Sequence, residues 1–308
     1  MSKCLTDRGA LGHILLNETL LRCCWRGPTD DVTSLTGDRM MNTSPSARAG
    51  LAQVKSKVKV PVASSARFTQ KDGRPQRTQK IMRRYEVVHL LSNGDIEDFT
   101  RIAPAHRAFE DSFGALARGA LLKTNRGVVA VEDVFPGDQV KTVTNGFQTV
   151  HWRGAMTLVP NSPHQDPRMT KLVRISADAL GIGRPLPDLL LGPSARLYQR
   201  SPTLQRVTGH TAAFVPATDF IDGVNIVEVQ PQAPVQVFQL GFTGHERIAV
   251  NGVEVDSHNP GARHEFGLRG DMLELYLGLF PHVTRIEDFG MLMHPRLSLH
   301  DLDFGVVA

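Results

Sequence analysis

Two histidine-containing clusters are the clearest candidates for chemistry in this 308-residue chain. His245 and Glu246 are adjacent, and an imidazole beside a carboxylate can move a proton as a catalytic dyad. His258, His264 and Glu265 carry side chains of the types that bind zinc. The first pair follows a strand pattern, which favours two solvated side chains at a strand end. The second set surrounds an Asn-Pro-Gly turn without fixed helical spacing, which predicts a polar linker instead of a metal site.

Cysteine chemistry is confined to the start of the chain. Cys4, Cys23 and Cys24 all lie in the first 24 residues. Residues 25–308 therefore have no disulfide framework, no cysteine-rich metal site and no cysteine nucleophile. The Gly-Ile-Gly-Arg segment at 181–184 lacks the third glycine and the strand-to-helix context of a nucleotide-binding loop. We therefore predict neither a cofactor nor a metal.

The charge is distributed unevenly along the sequence. Residues 1–84 contain 16 Lys and Arg against 6 Asp and Glu, whereas residues 85–308 contain 19 against 25. The net charge of +4 thus averages a basic start and a mildly acidic body, and the acidic body disfavours nucleic-acid binding. The lysines near residue 57 have no aromatic residues between them, so the basic start is predicted to be a disordered extension.

No part of the sequence reads as a membrane span. No apolar run approaches 18 residues, so we expect a soluble protein. The apolar stretch at 11–21 is interrupted by Asn17 and Glu18 and is a poor secretory signal, which favours the cytoplasm. Translation that starts near Met41 or Met82 would remove much of the extension.

Short strand patterns dominate the rest of the chain. Residues 85–91 and 96–102 predict a hairpin, and Asn251-Gly252 between two apolar runs predicts a second, with a type I′ turn. The clearest helical signal is at 272–280, with Asp271 as its cap. With 27 Gly, 19 Pro and 41% hydrophobic residues, the sequence predicts an all-β fold with a sizeable core. The predicted core residues are Leu121, Val129, Val131, Val140, Val150, Val173, Ile175, Leu190, Val227, Val229, Val237, Leu240, Ile248 and Val250.

Several blocks in a fixed order carry a family resemblance. Residues 115–140 include ALARGALLKT and then VEDVFPGDQV, residues 175–185 read ISADALGIGRP, and residues 189–197 read LLLGPSARL. Residues 237–248, VFQLGFTGHERI, complete the series. Together these blocks resemble the hedgehog/intein (Hint) domain, particularly its bacterial hedgehog-type branch. The resemblance implies a horseshoe-like β module with two pseudo-symmetric halves.

The resemblance divides the chain into four predicted segments. A basic, disordered extension covers residues 1–84, and a β-hairpin lead-in covers residues 85–112. The Hint domain itself spans residues 113–258. Residues 259–308 form a small mixed appendix with a short helix.

The resemblance also implies which residues once did chemistry. In the family, a Cys, Ser or Thr at the first Hint position attacks the preceding peptide carbonyl, and a histidine protonates the leaving amide nitrogen. Here the nucleophile position falls on Ala115, and two histidine positions fall on Ala195 and Gln239, so that only His245 retains a family histidine. The sequence therefore predicts a domain that has lost autoprocessing, is not an enzyme, and serves as a structural or interaction module for an unidentified protein partner.

Two alternatives remain open at the level of sequence. Ser112, three residues before the nucleophile position, could support an N→O acyl shift and cleave the chain, although a cap or turn role fits it better. In the other alternative, residues 1–84 are a basic arm on a β-rich binding module, which predicts salt-sensitive binding to an acidic partner.

Overall fold

The computed structural model describes residues 81–200, 204–206, 209–262 and 266–300. The predictions for the extension up to residue 80, for its cysteines and for a start at Met41 lie outside the described residues, as do His264 and Glu265. Within the described ranges, no helix is long and apolar enough to cross a membrane.

The described part of the chain folds as two antiparallel sheets, which confirms the all-β prediction. The first sheet has the order β13-β9-β10-β3-β14-β8-β1-β2, and the second has the order β12-β11-β16-β15-β4-β6-β7 with β5 paired to β4. The strands are β1 (Met82–Leu90), β2 (Ile96–Pro104), β3 (Leu116–Ala117), β4 (Leu121–Thr124), β5 (Gly127–Ala130), β6 (Gln139–Lys141), β7 (Phe147–Thr149), β8 (Trp152–Leu158), β9 (Leu172–Ile175), β10 (Leu189–Leu191), β11 (Arg196–Arg200), β12 (Ala212–Pro216), β13 (Ile226–Val229), β14 (Val235–Gly241), β15 (Arg247–Val250) and β16 (Val253–Asp256).

Helices are short in the described ranges. Those that lie wholly in the described ranges and away from their ends are α1 (Arg107–Asp111), α2 (Asp271–Leu277) and single 3₁₀ turns at Val131–Asp133, Pro167–Thr170, Ala217–Phe220 and Ile286–Phe289. The prediction that Asp271 caps the second helix is wrong. Gly270, with φ of 53°, is the N-cap, so Asp271 already lies in the first helical turn, where its charge favours the helix dipole.

Both predicted hairpins are present. β1 pairs with β2 over the whole length of both strands, and β15 pairs with β16 around Asn251 and Gly252. Those two residues have φ of 48° and 85°, which a type I′ turn requires and which Asn-Gly adopts with little strain. The Asn251 side chain also accepts a hydrogen bond from the Leu121 amide at 2.7 Å, which ties this turn to β4.

The first strand begins at Met82, three residues before the predicted start of the hairpin at residue 85. Arg83 is the reason that the boundary lies earlier, because its side chain is buried against Glu110 of α1 at 2.7 Å. It also donates to the Thr157 carbonyl oxygen at 2.9 Å. β1 pairs with β8 as well as β2, so residues before 113 belong to the first sheet.

Two large apolar clusters form the core. Nine of the fourteen predicted core residues are buried, mainly in the cluster around Leu240 and Ile248. The five that are only partly buried lie mostly on β5 and β13, which are edge strands with one open side. They are Leu121, Val129, Leu190, Val227 and Val229.

The second cluster is built around Trp152 and includes residues from beyond the predicted Hint domain. Trp152 lies 4.7 Å from Phe280 and 5.1 Å from Phe113, measured between ring centroids. Its indole nitrogen donates to the Leu279 carbonyl oxygen at 2.9 Å. Residues on both sides of the predicted domain therefore contribute to one core.

Candidate functional site

The Gly114–Ala115 peptide bond, which the family resemblance predicts as the cleavage position, is held by backbone hydrogen bonds on both sides. The Ala115 amide donates to the Phe238 carbonyl oxygen at 3.2 Å, and the Gly192 amide donates to the Ala115 carbonyl oxygen at 2.8 Å. The Ser194 amide donates to the Gly114 carbonyl oxygen at 3.1 Å. A donor at that carbonyl could stabilise a developing oxyanion, but the buried Ala115 methyl supplies no nucleophile.

Gly192 is required by this close approach of two backbone segments. A Cβ atom at this position would overlap the Gly114 carbonyl oxygen. The Ser194 hydroxyl is also close, 3.2 Å from where a Cβ at Gly114 would stand. That hydroxyl is buried and has no hydrogen-bond partner among the described residues. Sequence reasoning missed Ser194, because the family pattern assigns it no role.

The two positions at which the resemblance predicts a family histidine, Ala195 and Gln239, are both buried. Ala195 lies just before β11 and presents only a methyl group. Gln239 lies in β14, and its side-chain oxygen accepts a hydrogen bond from the Leu240 amide at 3.1 Å. Neither side chain can donate a proton by titrating near neutral pH.

His245 and Glu246 are buried, so the prediction of two solvated heads is wrong. The C-terminal segment covers them, because the Met293 amide donates to His245 Nδ1 at 3.0 Å. With Nδ1 accepting, the ring proton is on Nε2, which lies 3.9 Å from Asp256 Oδ2. Glu246 faces Asn145 at 3.0 Å instead. The two side chains therefore serve different partners and form no dyad.

A buried charge cluster around Asp256 was not predicted. Asp256 is 1% exposed, and its Oδ2 atom accepts from Arg296 at 3.1 Å and lies 3.9 Å from Arg196. Burial alone would raise the pKa of Asp256, but His245 and the two arginines lower it below its usual value. Asp256 Oδ1 and Arg296 Nε are buried without hydrogen-bond partners in the described part of the chain. Part of the hydrogen-bonding capacity of the cluster is therefore unused among the described residues.

The first three residues after β16, Ser257, His258 and Asn259, are also buried, so the prediction of a polar linker is wrong for them. The His258 ring stacks on Phe280 with centroids 4.7 Å apart and planes within 7°. Burial, followed by the charge of Arg296, holds the pKa of His258 well below its usual value, so the ring is neutral at pH 7. Asn259 donates to the Phe289 carbonyl oxygen at 3.0 Å. No group of His, Cys, Asp or Glu in the described ranges could hold a metal ion.

Ser112 is the C-cap of α1 and is buried. Its hydroxyl lies 2.9 Å from the Ala108 carbonyl oxygen, one turn earlier, and 2.8 Å from the Tyr276 hydroxyl. Tyr276 in turn lies 3.4 Å from His258 Nε2. These contacts link the serine to the helix end and to the aromatic cluster.

Several of the residues described above line one cavity of about 220 Å³. Ser112 and Gln239, both singled out from the sequence, line it. Arg196, Arg296 and His258, which sequence reasoning did not connect, line it as well. Ala115, Ala195 and His245 are not among its lining residues.

One family model and two solved structures match the central part of the chain. The family model described as Hint domain matches residues 114–262. No curated protein matches the chain. The solution structure of a bacterial intein-like domain from Clostridium thermocellum is 18% identical, with 48% of this chain and 100% of that chain covered and a TM-score of 0.32. A splice-inactive variant of the AceL NrdHF class 3 split intein is 11% identical, with 47% and 97% covered and a TM-score of 0.32.

Proposed function

We propose that residues 114–262, which the Hint domain family model matches, form a Hint domain that no longer cleaves or splices its own chain. The observation that carries the proposal is the methyl group of Ala115 at the position where the family has a nucleophile. An acyl shift needs a heteroatom on the residue after the bond, and without it the whole covalent route is lost.

A general acid for the reaction is missing as well. Departure of the amide nitrogen requires a proton, and the two positions that would supply it hold Ala195 and Gln239. The family histidine that remains, His245, accepts from the Met293 backbone and faces Asp256. The Gly114–Ala115 peptide bond is therefore held by backbone hydrogen bonds, but neither of its two residues has a reactive side chain.

We propose that the folded domain serves as a module that contacts a protein partner, and the loop at 177–188 supports this role. Ile182 at its tip is fully exposed and Leu186 is 63% exposed. Backbone hydrogen bonds hold the loop, among them Leu180 to Arg184 at 2.8 Å and Leu186 to Asn251 at 2.9 Å. A rigid loop with an apolar tip loses little conformational entropy when it binds.

Intact mass of the purified full chain, followed for about a day with and without a strong thiol, tests the loss of cleavage. We expect one species of 33.9 kDa throughout. Fragments of 114 and 194 residues would overturn the proposal, and fragments of 111 and 197 residues would assign cleavage to Ser112 instead.

A reconstruction provides the matched positive control. Ala115→Cys combined with Ala195→His and Gln239→His restores the nucleophile and both histidines, and we expect thiol-dependent cleavage after residue 114. Ala115→Cys alone is expected to cleave about 10² to 10⁴ times more slowly, because the acid is absent. If neither variant cleaves, the assignment of these positions is wrong.

The partner role has a separate test. Ile182→Asp places a charge at the loop tip. A protein that is recovered with the wild type in a stoichiometric ratio should no longer be recovered with this variant. Val128→Asp, at a 68% exposed site on β5, is the control and should retain it. Equal recovery with both variants would show that this loop does not make the contact.

A further inference from the structure

The cavity lined by Ser112 and Gln239 has walls from three parts of the chain. His106 and Arg107 come from the start of α1, before the family-matched region, and both are exposed at the cavity mouth. Arg196 comes from β11 inside that region. Arg296 comes from the C-terminal segment, which a bridge between Phe214 and Arg296 fixes beside β12. The cavity is therefore a feature of this chain and not of the family-matched region alone.

The charges at the cavity do not cancel among the described residues. Asp111 lines it but is already paired with Arg107 at 3.2 Å and with Arg168 at 3.4 Å. Behind the wall, Asp256 is the carboxylate that Arg196 and Arg296 share. Two guanidinium groups with one carboxylate leave one positive charge in excess.

The two arginines also have more N–H donors than the described residues provide acceptors for. Arg296 donates to Asp256 through one terminal nitrogen, while its Nε is buried without a partner in the described ranges. Among the described residues, the polar contacts of Arg196 are longer, 3.4 Å to the Ser194 carbonyl oxygen and 3.9 Å to Asp256. Burial, and then the neighbouring Arg296, lower the pKa of Arg196, so its charged form is destabilised in this structure.

An oxyanion would satisfy these requirements. Guanidinium N–H groups match the geometry of carboxylate and phosphate oxygens, and such bonds are about twice as strong as neutral ones. The two arginine side chains are only 20% exposed, so solvent screens the attraction less than at the surface. Ser112 and Asn259 also line the cavity, and their side chains already have hydrogen-bond partners within the protein.

We propose that this cavity binds a small organic anion whose carboxylate or phosphate group pairs with Arg196 and Arg296. The site does not depend on whether the domain cleaves its own chain, because none of its walls includes the Gly114–Ala115 bond.

The test uses the full chain with two probes, inorganic phosphate and succinate, each compared with sodium chloride at the same ionic strength. Calorimetric titration and thermal unfolding should both show saturable binding of at least one probe, since a ligand that binds only the folded state raises the melting temperature. Preference for phosphate or for succinate identifies the group that the site recognises. No binding of either probe up to about 10 mM, a free energy near −3 kcal/mol, would overturn the proposal.

Three variants separate a site from general electrostatics. Arg296→Gln should weaken the better probe at least about tenfold, because a charge-assisted hydrogen bond is lost. Arg285→Gln removes the same charge from an exposed pair with Asp288 and should change nothing. Asp111→Asn removes a negative charge from the cavity wall and should tighten binding several-fold.

The Asp111→Asn variant also covers the case in which Arg296→Gln fails to fold. A gain of affinity cannot result from misfolding, so an unchanged or weaker affinity in a folded Asp111→Asn protein would contradict the proposal. Equal loss of affinity in Arg285→Gln and Arg296→Gln would contradict it too, because the effect would then be one of net charge.

Discussion

At the residue scale, Gly192 shows how tightly the backbone around the Gly114–Ala115 bond is packed. We expect Gly192→Ala to destabilise the fold by about 1–3 kcal/mol, because a methyl group would force the Gly114 carbonyl away from the Ser194 amide. Denaturant unfolding measures the change. Gly244→Ala is the matched control, since a Cβ there meets nothing within 4 Å, and a comparable loss in both variants would contradict the packing argument.

His282 predicts how stability depends on pH. Burial, and then nearby His151 and His89, lower the pKa of His282 to about 4, below its usual value near 6.5. The neutral ring is therefore favoured in the folded state, so its stabilisation is complete above pH 6.5 and is lost as pH falls towards 4. The loss should total on the order of 3 kcal/mol.

Unfolding free energies of wild type and His282→Phe between pH 7 and pH 4 test this. The variant should lose less stability across that window, whereas His164→Phe, at an exposed loop position, should follow the wild type. Parallel curves for wild type and His282→Phe would assign the acid sensitivity to other groups.

At the element scale, the Arg83–Glu110 pair joins β1 to α1. Glu110→Ala should cost about 3–5 kcal/mol, since it leaves a buried guanidinium without its partner. The double variant Arg83→Met with Glu110→Leu should recover most of that loss, because neither charge then remains buried. Thermal unfolding of the three proteins gives the comparison. Equal destabilisation by the single and double variants would mean that packing, not charge, decides.

Elements with a local signal could be predicted from the sequence, and those that depend on distant residues could not. Asn251-Gly252 specifies its own hairpin, because its backbone preference is local. Asp256 breaks the alternation of its strand, and its partner Arg296 lies forty residues further along the chain. No periodicity links the two. For the same reason the family resemblance assigned roles to Ala115, Ala195 and Gln239, which stay predictions, but gave no indication of the charged cavity that Gln239 lines.

At the scale of the whole molecule, the core extends beyond the family-matched region. A fragment of residues 114–262 lacks β1, Phe113 and α2, and it would expose the aromatic cluster around Trp152. We expect this fragment to bind a hydrophobic dye and to lose its cooperative thermal transition, whereas residues 81–300 should retain both a compact state and a sharp transition. A cooperative transition in the shorter fragment would show that the flanks only cover a core that is already complete.

The same arrangement bears on how such a domain can move between proteins. Consider a genetic exchange that carried only residues 114–262 to a new protein. β8 would then lack its partner β1, and the cavity would lack Arg296. We therefore expect the smallest piece that folds after such an exchange to include the lead-in hairpin and the C-terminal segment as well as the family-matched region.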